Sequence, residues 1–311
     1  MLSRLFAPFK KLIYKNLEIR AFVVTRLHEN EIKEKVFLLA GSQQINITKR
    51  HCMICLDPFC VAIWLLPEQV SSFDPINVSI LFKKEKSKRS LLSLSLTEKI
   101  EEKTTVLLIY RVKQANSYQL NPFYRFLTLF VFLRNKTTTY RQRKFIAALY
   151  AYPRKIISVS YKEDNYYNIF PMDIQGHIPE SDLYILGLRT TNLTLTKILT
   201  TKKIVIADTH KADIKTIYSL GRHLSSSPPQ IESLPFSTSN SELFNFPVPD
   251  YSSSYKEVEI IQNKKLGYHM LLLGRIINSK QTEPDPSLLY HVHILEFVDS
   301  GYDNVGTNIH Y

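Results

Sequence analysis

Residues 154–199 read RKIISVSYKEDNYYNIFPMDIQGHIPESDLYILGLRTTNLTLTKIL. Two strand-like runs, IISVSY and LYILGLR, flank NYYNIFPMD at 165–173, which packs three aromatic rings, a proline and a methionine into nine residues. That composition is odd for a solvated loop and suits either a piece of core or the wall of a site. Beyond the second run, a short helix is expected from Asn192 to about Thr200. Pro153 ends the preceding segment, so the boundary between an N-terminal domain, 1–150, and a C-terminal domain, 151–311, is placed there.

Working outward, the C-terminal part continues with a strand KIVIAD at 203–208 and a helix at 212–224. A Ser/Pro-dense excursion at 225–254 follows, and then strands KEVEIIQNK, YHMLLLGRII and LYHVHILEF. Upstream, short strands are expected at 18–26, 35–40, 44–48, 60–66, 76–82, 91–96 and 105–112. The alternation Leu92-Ser93-Leu94-Ser95-Leu96 gives one apolar and one hydroxylated face. From Asn121 to Tyr150 the pattern turns helical, with Asn121-Pro122 as N-cap and first-turn pair. No fixed-period repeat is present. The chain therefore reads as mainly β with α insertions (α+β), a barrel or sandwich and not a doubly wound sheet.

The 311 residues, 44% of them hydrophobic and 22% charged, suffice for folded domains with a core of their own. No apolar run is long enough to span a bilayer; Phe123 to Leu133 is short and carries Arg125. The basic, amphipathic start lacks the pattern of a secretory signal, and three cysteines within residues 51–60 give no disulfide framework, so a reducing cytoplasm is expected. Residues 1–150 hold 25 Lys+Arg against 11 Asp+Glu, a balance of +14; the rest hold 15 against 17, a balance of −2. A basic face on the first half fits an anionic partner.

Several chemistries lose their signatures. There is no GxGxxG, P-loop, GxSxG or HExxH, and only eight glycines in all. His51, Cys52, Cys55 and Cys60 resemble a zinc half-site, but no second half follows, so they are read as buried thiols with a neighbouring histidine and no metal is expected. The basic runs KKEKSKR at 83–89 and Arg134 to Lys144 attract phosphate; the first reads equally well as a solvated hairpin turn, and nucleic acid is not the expected partner.

Asn168 to Met172, Arg189-Thr190-Thr191-Asn192, and GYHMLLLGRII at 267–277 together resemble the flavin reductase-like family, whose fold is the FMN-binding split β-barrel. The resemblance covers roughly residues 150–298. It implies a flavoprotein, FMN in preference to FAD, that takes hydride from NAD(P)H as co-substrate. By the same resemblance Asn168, Ile169, Phe170, Pro171, Met172 and Asp173 wall the flavin ring, with Tyr166 and Tyr167 as packing. Arg189, Thr190, Thr191, Asn192 and Thr194 hold its phosphate at a helix start, and His269 stands where nicotinamide or substrate approaches. The family pairs into dimers. Here the like number of strands in both halves suggests a degenerate second barrel in the N-terminal half, packed as an intramolecular pseudo-partner, with a homodimer as the other arrangement. The other function considered is a non-catalytic flavin- or ligand-binding module whose basic N-terminal half docks an acidic partner or nucleic acid.

Overall fold

A computed structural model describes residues 22–119, 121–123, 126, 139–164 and 166–302. The basic N-terminal stretch, the start of the strand expected at 18–26, most of the first expected helix and part of the Arg134 to Lys144 cluster lie outside the described residues. The strands in chain order are β1 (Phe22–Leu27), β2 (Glu34–Ala40), β3 (Gln43–Asn46), β4 (His51–Leu56), β5 (Phe59–Leu65), β6 (Asn77–Lys84), β7 (Ser87–Glu101), β8 (Val106–Ser117), β9 (Arg154–Lys155) and β10 (Ile157–Glu163). They continue with β11 (Tyr166–Met172), β12 (Gln175–Ile178), β13 (Leu183–Arg189), β14 (Lys203–Ala207), β15 (Thr238–Asn240), β16 (Pro247–Pro249), β17 (Ser254–Leu266), β18 (His269–Gln281) and β19 (Leu288–His293). The α-helices are α1 (Pro67–Ser71), α2 (Tyr140–Leu149), α3 (Leu193–Thr201), α4 (Ile214–Arg222) and α5 (Ile294–Ser300).

Two seven-stranded antiparallel sheets carry the molecule, in the orders β3-β2-β6-β7-β8-β5-β4 and β11-β10-β14-β17-β18-β13-β12. These orders are the same path drawn twice. In each, two hairpins lead into a helix, then a single strand, then a long hairpin: β2 to β8 with α1 in one, β10 to β18 with α3 in the other. The second copy differs by inserting α4, β15 and β16 before its last hairpin. The N-terminal half is thus a second barrel of the same topology, which no sequence repeat announced.

Period-two alternation explains the junction of the two barrels. On β5, Phe59, Val61, Ile63 and Leu65 face their own core, whereas Cys60, Ala62 and Trp64 join Leu183, Ile185, Leu271 and Leu273 of β13 and β18 in a shared cluster. On β13, Tyr184, Leu186 and Leu188 turn the other way, into the second barrel's core. Runs such as FCVAIWL, and LYILGL ahead of the exposed Arg189, are apolar throughout because both faces are buried. Contact there is close: a Cβ added to Gly187 would lie 2.2 Å from the Ile54 carbonyl oxygen. The β17–β18 turn docks through the Tyr268 amide, which donates to the Asp57 carbonyl at 2.9 Å. Gly267 in that turn has φ +75° and leaves no room for a side chain.

A third sheet, β1-β19-β9, joins residues from both sides of the expected boundary at Pro153. Expectation and structure part at three places. His51–Leu56 is a buried strand, where the sequence suggested only core. LYHVHILEF is a strand only to His293, whose side chain caps the helix that follows by accepting from the Leu295 amide. KKEKSKR does form the β6–β7 turn, but its last residue, Arg89, is buried and paired with Glu296 at 3.1 Å.

Candidate functional site

The stretch 165–173 is itself an edge strand from Tyr166 onward, β11, paired along its length with β10. An edge tolerates Pro171, which has no N–H to give a second neighbour. Alternation sends Ile169 into the interior and brings its neighbours Asn168 and Phe170 to a cavity of about 640 Å³. Pro171, Met172 and Asp173 line the same cavity, so five of the six residues expected at the ring wall meet there and Ile169 does not.

From β13 and the turn beyond it come Arg189, Thr191 and Asn192; Thr190 and Thr194 lie off the wall. Thr194 instead accepts from Asn168 Nδ2 at 2.8 Å, while Asn168 Oδ1 accepts from His223 Nε2 at 2.6 Å. Asn168 is 1% exposed, and its amide is a bracket between α3 and the end of α4. Tyr166 donates to the Ser225 carbonyl at 2.8 Å and Tyr167 to that of Pro229 at 2.6 Å, which ties down the start of the Ser/Pro excursion.

The start of α3 differs from expectation. Its first-turn amides are already engaged: Leu193 with Ser225 Oγ at 3.0 Å, Thr194 with Asn192 Oδ1 at 2.9 Å and Leu195 with the Asn192 carbonyl at 3.0 Å. Few backbone donors remain there for an anion. Two guanidinium groups stand in their place, Arg189 at the end of β13 and Arg222 at the end of α4; both line the cavity and neither has an ion pair among the described residues. Arg222 and His223 escaped the sequence reading because α4 lies across a sheet from β13; its amphipathic pattern, with Ile214, Ile217 and Leu220 buried, is the signal that places it.

His269, the first residue of β18, is 2% exposed and lines the cavity. Its Nδ1 lies 3.6 Å from Cys55 Sγ, and its Nε2 has no partner among the described residues. Burial, assisted by Arg189, brings its pKa down to about 4, so the imidazole is neutral near pH 7. Cys55 comes from β4, and Leu56 beside it lines the cavity, so the N-terminal barrel supplies part of this site.

At the cavity base Asp173 Oδ2 accepts from Tyr150 Oη at 2.7 Å and from His291 Nδ1 at 2.8 Å, and His291 Nε2 lies 2.9 Å from Tyr218 Oη. Burial pushes the Asp173 carboxyl up, but His291, Tyr150 and Arg154 outweigh it and hold the group below its ordinary value. A carboxylate only accepts, so His291 donates through Nδ1. The alternation His291-Val292-His293 in β19, with every residue buried, was the available signal for this histidine. The other cluster singled out by the sequence is a set of buried thiols: burial raises Cys52 and Cys60 to about 12.

No protein-family model matches the chain, and no curated protein matches it. Solved structures do. One is an FMN-binding protein from Thermus thermophilus with bound p-hydroxybenzaldehyde, 15% identical over 46% of this chain and 86% of its own, with a TM-score of 0.40. Another is an NADH:FAD oxidoreductase from Streptomyces globisporus, 11% identical over 47% of this chain and 86% of its own, TM-score 0.42. A third is the flavin reductase PheA2 in its native state, 17% identical over 53% of this chain and 98% of its own, TM-score 0.41.

Proposed function

We propose that the chain binds FMN in the cavity beside His269 and passes hydride from NAD(P)H to it. The observation that carries this reading is the meeting, in one cavity of about 640 Å³, of Arg189 and Arg222, which have no ion pair among the described residues, with an apolar wall ending in His269, whose buried Nε2 has no partner among them. Such a cavity suits a ligand that is flat and apolar at one end and anionic at the other. Phe170, Pro171, Met172 and Leu188 provide the apolar side, and the two arginines with Thr191 provide the anion end. Two buried nitrogens, His269 Nε2 and His223 Nδ1, await a hydrogen-bond partner, as expected of a wall built to meet a polar edge. The residues present therefore fit a flavin.

When bound, the flavin would supply the redox chemistry. The chain's own part is to hold the ring between β11 and β18, to fix the phosphate with guanidinium groups, and to present a neutral imidazole that orients without donating charge. The test is an anaerobic titration of the purified chain with FMN, followed by NADH and then NADPH. A bound flavin whose visible absorbance bleaches with either nicotinamide supports the enzyme. A bound flavin indifferent to both makes the chain a flavin-binding module, and no uptake of FMN removes the proposal.

A further inference from the structure

The duplicated topology implies two equivalent places at the barrel junction, and a second cavity of about 380 Å³ occupies the place related to the first. Leu56 ends β4 in the first cavity, and Pro179 follows β12 in the second. Asp173 follows β11 on the first wall, as Thr48 and Lys49 follow β3 on the second. Gly187, near the end of β13 on its junction face, is matched by Trp64, near the end of β5 on the corresponding face.

The counterpart is not a second flavin site. Where α3 is preceded by Arg189-Thr190-Thr191-Asn192, α1 is preceded by Leu65-Leu66 and opens with Pro67-Glu68. That start brings no cation, has no N–H at its first residue and carries a negative charge, all unsuited to phosphate.

Cations without an ion pair reach this second cavity from beyond the N-terminal barrel, from the third sheet and from β17. Lys155 of β9 and Lys256 of β17 line it, and neither forms an ion pair among the described residues. The nearby Asp208 carboxylate attracts both lysines but bonds to neither: it accepts from Ser253 N, Ser253 Oγ and Ser254 Oγ at 2.7–3.0 Å. Of the other two acids lining the cavity, Glu29 pairs with Lys49, and Asp173 is held by Tyr150 and His291.

Two further wall residues present buried polar atoms with no partner, Trp64 Nε1 and His51 Nε2; their side chains belong to residues 2% and 8% exposed. An indole N–H only donates, so it asks for an acceptor. His51 Nδ1 lies 2.9 Å from the Ile47 carbonyl and donates to it. Burial brings His51 down to about 3, which leaves Nε2 a lone-pair acceptor that asks for a donor. Burial likewise lowers both lysines, an effect that a bound anion would reverse.

We propose that this cavity is a second binding site, taking a small anion that also carries a hydroxyl group: the anion between Lys155 and Lys256, the hydroxyl against Trp64 and His51. The proposal is independent of the flavin reading, since none of these four residues lines the first cavity.

Trp64 is the single tryptophan of the chain, so its fluorescence reports on this cavity. The full chain is titrated with ribose 5-phosphate, malate and inorganic phosphate, with calorimetry in parallel. Saturable fluorescence change with ribose 5-phosphate identifies a phosphorylated polyol, and with malate a hydroxy acid. In either case Lys155→Met and Lys256→Met should each weaken binding at least tenfold while FMN affinity stays unchanged, and Arg189→Ala should leave the titration as it is. No response to any of the three probes overturns the proposal, as does binding that survives both lysine variants, or inorganic phosphate binding as tightly as the hydroxylated ligands. Because the first of these outcomes is read on the unaltered chain, misfolding of a variant does not shield the proposal.

Discussion

Arg189 was expected at a helix start among backbone donors; the folded chain places it at the end of β13 with other company. The residue stands at the cavity rim as the strand run LYILGLR implied. The helix amides expected to help it are spent on Ser225 and Asn192, so in the proposed site the guanidinium groups would carry the anion end. Arg189→Ala should therefore raise the dissociation constant for FMN by roughly 10- to 100-fold, the range for a charge-assisted contact, measured by flavin fluorescence quenching. Unchanged affinity would refute the phosphate role. His269 gives a different expectation. With its pKa near 4 it stays neutral through the physiological range, so the rate of flavin reduction should show no inflection from this group between about pH 5.5 and 8. An ionisation in that window abolished by His269→Gln would contradict the neutral role. Asn168, expected at the ring wall, lines the cavity, and its amide also clamps α3 to the end of α4. Residue type cannot distinguish these uses; only the neighbours can.

Among the elements, the strands that meet at the junction were visible as apolar runs, but their partners were not. A run buried on both faces has no polar side to orient it, so the pattern gives a strand without saying which face meets which sheet. β4 is the clearest case: HCMICL hides its histidine and thiols inside a strand that pairs with β5 and packs on β12 and β13. The closeness of that packing rests on Gly187. In Gly187→Ala the new methyl would meet the Ile54 carbonyl oxygen at 2.2 Å, a backbone atom that cannot swing aside. The variant should lose about 2–3 kcal/mol, read as a fall in Tm of roughly 5–10 °C by calorimetry. A variant as stable as the parent would mean that the two barrels slide freely against each other.

For the whole molecule the buried histidines predict a response to acid. Burial brings His51 and His293 down to about 3, and His177 and His269 to about 4. In the unfolded chain each takes up a proton near pH 6.5. Their contribution to stability is thus complete above that value and is lost as pH falls through about 4. Glu296 acts in the opposite sense, since burial raises it to about 7 and acidification favours its folded form. Four groups outweigh one, and Tm should fall steadily from pH 7.5 to pH 5, at a cost on the order of 1–2 kcal/mol per histidine. A Tm that is flat or rises on acidification would show that these histidines are not held neutral.

By itself the sequence determined the mainly β class, most strand positions, the amphipathic helices and the three segments that converge on the first cavity, because period, caps and turn residues act over a few neighbours. The like number of strands had already suggested a second barrel packed against the first; the folded chain added that both halves follow one strand order, which faces they share, and that Arg222, His223 and His291 line the cavity. Those facts rest on contacts between residues tens to hundreds of positions apart, where the chain's local preferences carry no information about which surfaces meet.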